Sequence, residues 1–136
     1  MPVIYRAMTH EEDKPKVGLT ARTLGVRSDV DITPDQNGWV IPKAGGMSVA
    51  PSWRELPPHR IPLRLRPIAH DACGRDDDAC WRMGSGAFVD SPLTELLDFR
   101  RDRSDHGFVE PSRTMQLDDF QSALAATRDH WEIDET

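Results

Sequence analysis

Short hydrophobic runs, separated by polar stretches rich in proline and glycine, make up most of this chain. Residues 3–8 combine β-branched and aromatic side chains, which predicts a first strand. An Asn-Gly turn at 37–38 leads into a strand at 39–41, and paired glycines lead into another at 47–50. Residues 106–111 predict a late strand. The pattern therefore predicts an α+β domain with several short strands.

Helical signals are fewer. Residues 19–24 predict a short helix ended by Gly25, and Ser91-Pro92 predicts a helix start followed by a leucine stripe through residue 97. The clearest helix is C-terminal, because four large apolar residues fall at helical spacing: Leu117, Phe120, Leu124 and Trp131. Acids at 118–119 favour its first turn through the helix dipole.

The remaining segments carry weaker signals. Residues 51–56 predict one helical turn, 81–89 a strand interrupted by a bulge, and 100–105 a polar loop. Alternating apolar and basic residues at 63–66 favour a strand, either half-buried or with a solvated face. The stretch 69–78 predicts an exposed loop with solvated acids.

The length and composition of the chain limit the number of domains and the size of the core. The chain has 136 residues, which predicts one domain spanning 1–136. Only 38% of residues are hydrophobic and the mean hydropathy is -0.58, so we expect a small core and many loops. No apolar run approaches the roughly 20 residues of a membrane span, and no secretory h-region is present, so a cytoplasmic protein is expected unless a signal-independent machine exports it.

The charge and the cysteine content of the chain indicate which kinds of ligand it can bind. The net charge of -6 argues against a nucleic-acid binder, yet residues 54–66 hold four arginines against one acid. Such a local basic patch suits a small anionic ligand. Cys73 and Cys80 match no zinc spacing, and no metal site is expected. Free thiols are favoured for a reducing cytosol, with a loop disulfide as the alternative.

Two polar residues interrupt the strand pattern where a ligand could be held. Arg6 lies on the first strand, and its planar guanidinium suits bidentate contact with phosphate. Ser48 follows Gly45 and Gly46, which let a backbone approach a ligand closely. The structural alternatives are an arginine paired with one of the many acids and a serine hydroxyl bonded to backbone.

Further candidates lie along the chain. Glu110 ends the late strand, where a carboxylate can stabilise positive charge on a ribose ring, and His106 is a candidate proton carrier or ribose contact. Arg60 follows two prolines that stiffen a loop able to cover a cleft. Tyr5 is an aromatic candidate for stacking on a nicotinamide or adenine ring. The alternatives are surface positions for Glu110 and His106 and core packing for Tyr5.

Several short segments together carry a resemblance. They are Tyr5-Arg6-Ala7, Leu24-Gly25-Val26, Gly45-Gly46-Met47-Ser48-Val49 and, before a terminal helix, the run from His106 to Pro111. In this order they resemble the toxin family of the second type VI secretion exported effector. That family has an ADP-ribosyltransferase-like fold, in which a split pair of β-sheets surrounds a cleft for nicotinamide adenine dinucleotide (NAD).

The resemblance implies roles for individual residues. Arg6 would bind a phosphate of NAD, Ser48 would support the nicotinamide ribose, and Glu110 would stabilise the transition state as nicotinamide leaves. The usual Glu-x-Glu pattern of ADP-ribosyltransferases is absent from this chain.

The resemblance also implies partners: NAD, an unknown macromolecular target, and a neutralising immunity or antitoxin protein. We therefore expect a small toxin or toxin-like enzyme that transfers ADP-ribose in the cytosol. One alternative is an inactive fold of this type serving as a protein-interaction module. Another is an enzyme that cleaves NAD without a protein acceptor, or that modifies a nucleic acid or a small molecule.

Overall fold

The computed structural model describes residues 1–136 and contains ten short strands, one α-helix and three 3-10 turns. The strands are β1 (Ile4–Glu11), β2 (Lys14–Pro15), β3 (Trp39–Val40), β4 (Met47–Val49), β5 (Asp78–Met83), β6 (Ser91–Pro92), β7 (Leu97–Arg103), β8 (His106–Pro111), β9 (Met115–Gln116) and β10 (Glu132–Ile133). The helix α1 covers Leu117–Ala125, and the 3-10 turns cover Trp53–Glu55, Leu63–Leu65 and Arg128–His130.

Two four-stranded antiparallel sheets form the framework. Their strand orders are β10-β5-β1-β2 and β4-β8-β7-β6, and β3 and β9 form a separate ribbon. The sheets meet where Tyr5 and Ala50 exchange two backbone hydrogen bonds, of 2.8 and 3.0 Å. Beyond that point β1 and β4 diverge, which leaves an opening beside the junction.

The main hydrophobic core lies between the sheets and α1. It contains large buried side chains from β1, β5, β7 and β8, together with Phe120 and Leu124 of the helix. A smaller cluster packs on the other side of β1 and includes Ala7, Ala50 and Trp53. This second cluster fixes the loop that follows Trp53, which forms one wall of the opening.

The last residues tie this smaller cluster to the first sheet. Trp53 Nε1 donates to the Thr136 carbonyl (3.1 Å), and Arg64 forms an ion pair with Glu135. Asp134 accepts from Tyr5 (2.8 Å) and pairs with Arg82. Hydrogen bonds, first from the Thr136 hydroxyl and then from Tyr5, lower the pKa of Asp134 to about 2.

The prediction of an α+β chain with strands and a C-terminal helix is confirmed. The early strand, the strands at 39–40 and 47–49, the late strand and the turn after Ser52 are also found where expected. The helix ends at Ala125, and Trp131 is buried from the segment after it.

Other expectations were wrong for local reasons. Residues 19–24 form turns, because Thr20 and Thr23 hydrogen-bond each other and nearby backbone, which competes with helix formation. Residues 63–65 form a 3-10 turn begun by Pro62. The strand expected at 81–89 runs instead over 78–83 and ends before Gly84.

The segment 91–105 also differs from its prediction, because pairing partners distant in sequence decide it. Ser91–Pro92 pairs with β7, so the leucines reach the core from a hairpin and a strand rather than a helix. The polar run 100–103 belongs to β7, whose backbone bonds to β8, and a bulge lies between Arg101 and Arg103. Asp78, expected to be solvated, is buried and bound by Arg22.

The cysteines are both free in the structure. Cys73 is exposed, and Cys80 is buried on β5. Burial raises the pKa of the Cys80 thiol to about 12.

Candidate active site

A cleft of about 550 Å³ opens beside the junction of the two sheets. Its walls come from β1, β4, the loop at 54–61 and the tip of the β7–β8 hairpin. This volume is in the usual range for small-molecule sites, roughly 300–1,000 Å³. Of the predicted site residues, the cleft brings together Arg6, Ser48, Arg60 and His106.

Arg6 lies deepest in this group. Strand alternation places it on the same face of β1 as Ile4 and Met8, which are completely buried, so its side chain is only 7% exposed. The guanidinium donates to the carbonyls of Thr23 (3.1 and 3.2 Å), Gly25 (3.4 Å) and Ser48 (3.0 Å).

These bonds use four of the five N–H donors that an arginine has. The bidentate grip on phosphate expected of Arg6 is therefore not available in this arrangement, because only one N–H is left. What Arg6 offers the cleft is its positive charge and that single donor.

The Arg6 charge has no carboxylate partner, since none lies within 4.0 Å of it. Burial lowers the pKa of Arg6 to about 10, and repulsion from Arg60 and Arg27 adds to this against the attraction of Asp31. Asp31 itself is bound by Arg27, with Nη2–Oδ1 at 3.0 Å. An anion entering the cleft would therefore find a buried positive charge that no carboxylate of the protein binds.

Arg60 is the least engaged arginine of the cleft. Its backbone N–H donates to the Pro57 carbonyl (2.8 Å), which folds the double-proline loop into a turn, while its side chain makes no hydrogen bond or ion pair. Burial lowers the pKa of Arg60, and the nearby Arg27 lowers it further. Arg54, on the same loop, lies over the Trp53 ring with its guanidinium carbon 5.3 Å from the ring centre.

Ser48 and His106 face the same cleft from β4 and β8. The Ser48 carbonyl is held by Arg6, and its hydroxyl has no hydrogen-bond partner in the protein. His106 Nδ1 lies 3.1 Å from Asp102 Oδ2, and its ring contacts the edge of Phe108 with centroids 4.7 Å apart. Both residues therefore have polar groups available to a bound molecule.

Glu110 is not in this cleft. It is 4% exposed and lines a separate cavity of about 290 Å³, where Arg100 Nε donates to it (3.0 Å) and the Lys43 backbone N–H also bonds to it. His106 and Glu110 share a face of β8, but four residues of strand separate their backbones by about 13 Å. The expected grouping of Glu110 with Arg6 is therefore absent from this structure.

The paired glycines and Tyr5 also lie outside the cleft lining. A Cβ on Gly46 would lie 2.3 Å from the Val109 carbonyl oxygen, and one on Gly45 equally close to the Asp31 carbonyl. These glycines therefore allow close approach between backbone segments rather than to a ligand. Tyr5 points to the opposite face of β1, and burial together with the Asp134 bond raises its pKa to about 12.

Sequence reasoning missed several charged residues of the cleft. They are Arg27, Asp31, Asp71, Arg103 and Asp105. The first two lie in a loop, and the last two at a hairpin tip within a run that was interpreted as a polar loop. The basic stretch at 54–66 was the available signal, and it supplies Arg54 and Arg60.

A comparison with protein-family models places this geometry in context. The model of the Tse2 ADP-ribosyltransferase toxin matches residues 5–131. The chain belongs to this toxin family. The resemblance stated from the sequence is thus confirmed, and the matched range contains every residue of the cleft. Comparisons with curated proteins and with solved structures give no match.

Two further findings concern other kinds of site. None of the helices has the length and hydrophobicity that crossing a bilayer would require. No group of three or more histidine, cysteine, aspartate or glutamate side chains is arranged to hold a metal ion.

Proposed function

We propose that this chain is a toxin that binds NAD in the cleft and transfers ADP-ribose to a macromolecule in the cytoplasm of a target cell. The observation that carries the proposal is the pair of arginines without carboxylate partners, Arg6 and Arg60, in one cleft. The family supports the activity, and two sheets meeting beside the cleft suit the split core of an ADP-ribosyltransferase-like domain.

The diphosphate of NAD is assigned to the free arginines. Arg60 and Arg54 present guanidinium groups on the loop wall, and Arg6 adds charge from below. The Ser48 hydroxyl is assigned to the nicotinamide ribose, and His106 reaches the same cleft from the neighbouring strand β8. Neither Tyr5 nor the paired glycines has a direct role in this assignment.

The binding groups suit NAD better than the catalytic groups do. Glu110 is occupied by Arg100 and by a backbone N–H, and Asp31 is occupied by Arg27. The other acids of the cleft, Glu55, Asp71 and Asp105, are exposed. This arrangement favours a second candidate function, in which the domain binds its target without transferring ADP-ribose.

NAD binding by isothermal titration calorimetry tests the first proposal. We expect saturable binding, with Kd raised about tenfold in Arg60→Ala, since losing one charge-assisted contact costs about 1.5 kcal/mol. Arg113→Ala is the matched control, because Arg113 is exposed and lies outside the cleft. No binding of millimolar NAD to the folded wild type would overturn the proposal.

Nicotinamide release separates the two functions. Wild type and Arg60→Ala are expressed in bacterial cytosol, and growth, nicotinamide and labelled acceptor are followed together. Growth arrest with nicotinamide release and a modified macromolecule supports transfer of ADP-ribose. Growth arrest without nicotinamide release would establish the interaction function instead, and release without a labelled macromolecule would indicate NAD hydrolysis. A neutralising immunity protein is expected to suppress arrest in either case.

A further inference from the structure

The tip of the β7–β8 hairpin holds an imidazole and a carboxylate in direct contact. His106 Nδ1 on β8 lies 3.1 Å from Asp102 Oδ2 on β7, so the contact joins the two strands beside the turn between them. The bulge between Arg101 and Arg103 interrupts the regular register at this point, so that Asp102 reaches the ring. The turn that joins the two strands is only two residues long, which keeps the pair close together.

A second contact fixes the plane of the ring. Phe108, two residues along β8, meets the imidazole edge-on at an interplanar angle of 87°. Arg100 covers the same Phe108 ring from β7, with its guanidinium carbon 5.1 Å from the centre. The His106 side chain is thereby 22% exposed, whereas Asp102 is 40% exposed.

We propose that Asp102 is a positioning residue for His106, and that His106 accepts a proton through Nε2 during ADP-ribosyl transfer. A carboxylate on Nδ1 selects the tautomer with its hydrogen on that nitrogen and leaves Nε2 as a base for a molecule in the cleft. This inference rests on the proposed function for its chemistry, but the Asp102–His106 contact can be tested without it.

The proton balance of the step is simple. The acceptor's hydroxyl or amine bonds to the ribose carbon while the bond from that carbon to nicotinamide breaks, and nicotinamide leaves with the bonding electrons. His106 Nε2 takes the acceptor's proton, and Asp102 stabilises the imidazolium until solvent removes that proton. No oxidant, reductant or metal enters this balance.

Other charged groups also lie near His106. On the hairpin, Arg103 lies 3.9 Å from Asp102 and 3.7 Å from Asp105, so it partly offsets both carboxylates. The cleft lining also includes Arg6 of β1 and the charged loop residues Arg54, Glu55 and Arg60. Among these charged groups, Asp102 alone is hydrogen-bonded to the imidazole.

Nitrogen nuclear magnetic resonance of the folded protein tests the contact directly. His106→Gln identifies the His106 resonance among those of the five histidines. Asp102→Ala removes the acceptor that lies 3.1 Å from Nδ1, so we expect the ring hydrogen to lose its preference for that nitrogen. Asp105→Ala removes a carboxylate from the same hairpin and leaves this acceptor in place, so we expect it to keep the wild-type tautomer.

The ring nitrogen shifts give the tautomer. We expect wild type to carry the hydrogen on Nδ1 at high pH, and Asp102→Ala to lose this preference. Asp102→Asn can still accept that hydrogen through its amide oxygen, and it should retain the tautomer. An unchanged His106 tautomer in Asp102→Ala would overturn the positioning role, whatever the protein does with NAD.

Turnover then tests the chemical step. For nicotinamide release with acceptor, we expect His106→Gln to lower kcat about 100-fold and Asp102→Asn about tenfold, each with KM for NAD within about twofold. A fall confined to KM would assign His106 to substrate binding instead. Normal kcat in His106→Gln would remove it from proton transfer, even if NAD binding and toxicity are intact.

Discussion

Replacing Arg6 by alanine is expected to unfold the cleft as well as to weaken NAD binding. The Arg6 guanidinium donates hydrogen bonds to three carbonyl groups, those of Thr23, Gly25 and Ser48. Leaving a buried carbonyl without its donor costs about 1–3 kcal/mol. The substitution also removes a buried charge that has no carboxylate partner, which offsets part of this cost. We therefore expect the free energy of unfolding to fall by about 3 kcal/mol.

For a chain of this length, that loss corresponds to a Tm lower by about 10 °C. Thermal and urea unfolding followed by circular dichroism measure it, with Arg60→Ala as the comparison. Arg60 makes no side-chain bond in the protein, so its loss should change Tm by less than about 2 °C. An Arg6→Ala protein as stable as wild type would refute the reasoning.

The comparison of Arg6→Ala with Arg60→Ala is needed to interpret toxicity assays. A growth defect lost in Arg6→Ala has two explanations, loss of NAD binding and loss of the folded cleft, because Arg6 joins the loop at 23–25 to β4. Arg60→Ala separates them, since it removes a cleft charge and leaves the backbone contacts in place. We expect Arg60→Ala to lose toxicity with an unchanged Tm.

Three further outcomes are expected. Asp78→Ala should cost about 1–3 kcal/mol, because the buried carboxylate accepts hydrogen bonds from Arg22 and Thr9. A double-mutant cycle with Arg22→Ala should give less than the sum of the two losses. Asp134 has a folded pKa of about 2, below its ordinary value of 3.8, so its contribution to stability is present above pH 4 and is lost as pH falls toward 2. The free energies of unfolding of wild type and Asp134→Asn should therefore differ at neutral pH and converge as the pH falls through that range. Glu110→Gln should lower stability by about 1–3 kcal/mol through its bond to Arg100 while NAD still binds, whereas loss of nicotinamide release at unchanged stability would restore Glu110 as the catalytic carboxylate.

Sequence reasoning succeeded where a pattern depends on its own segment. The strand at 4–11 and the C-terminal helix can be predicted from the spacing of apolar residues within each segment. Arg6 was recognised because a charged residue interrupts that alternation. The segment at 100–103 was missed because its strand conformation depends on pairing with β8, which its own polar side chains do not reveal.

The site shows the same division between local and distant causes. Ser48, His106 and Arg60 were proposed from neighbouring residues, and the structure places them in one cleft. The location of Glu110 depends on Arg100 from another strand and on the backbone at Lys43, neither of which is its sequence neighbour. Residue type alone could not distinguish a catalytic carboxylate from one occupied by an arginine.

The divided sheet order has a consequence for how this toxin is made. Strand β1 pairs with β5, which lies more than sixty positions later in the chain, and β4 pairs with β8. During synthesis Arg6 and Ser48 therefore leave the ribosome long before their partner strands, and the cleft can assemble only after His106 has emerged. Incomplete chains lack the strands that assemble the cleft, so the cleft exists only in a nearly finished molecule.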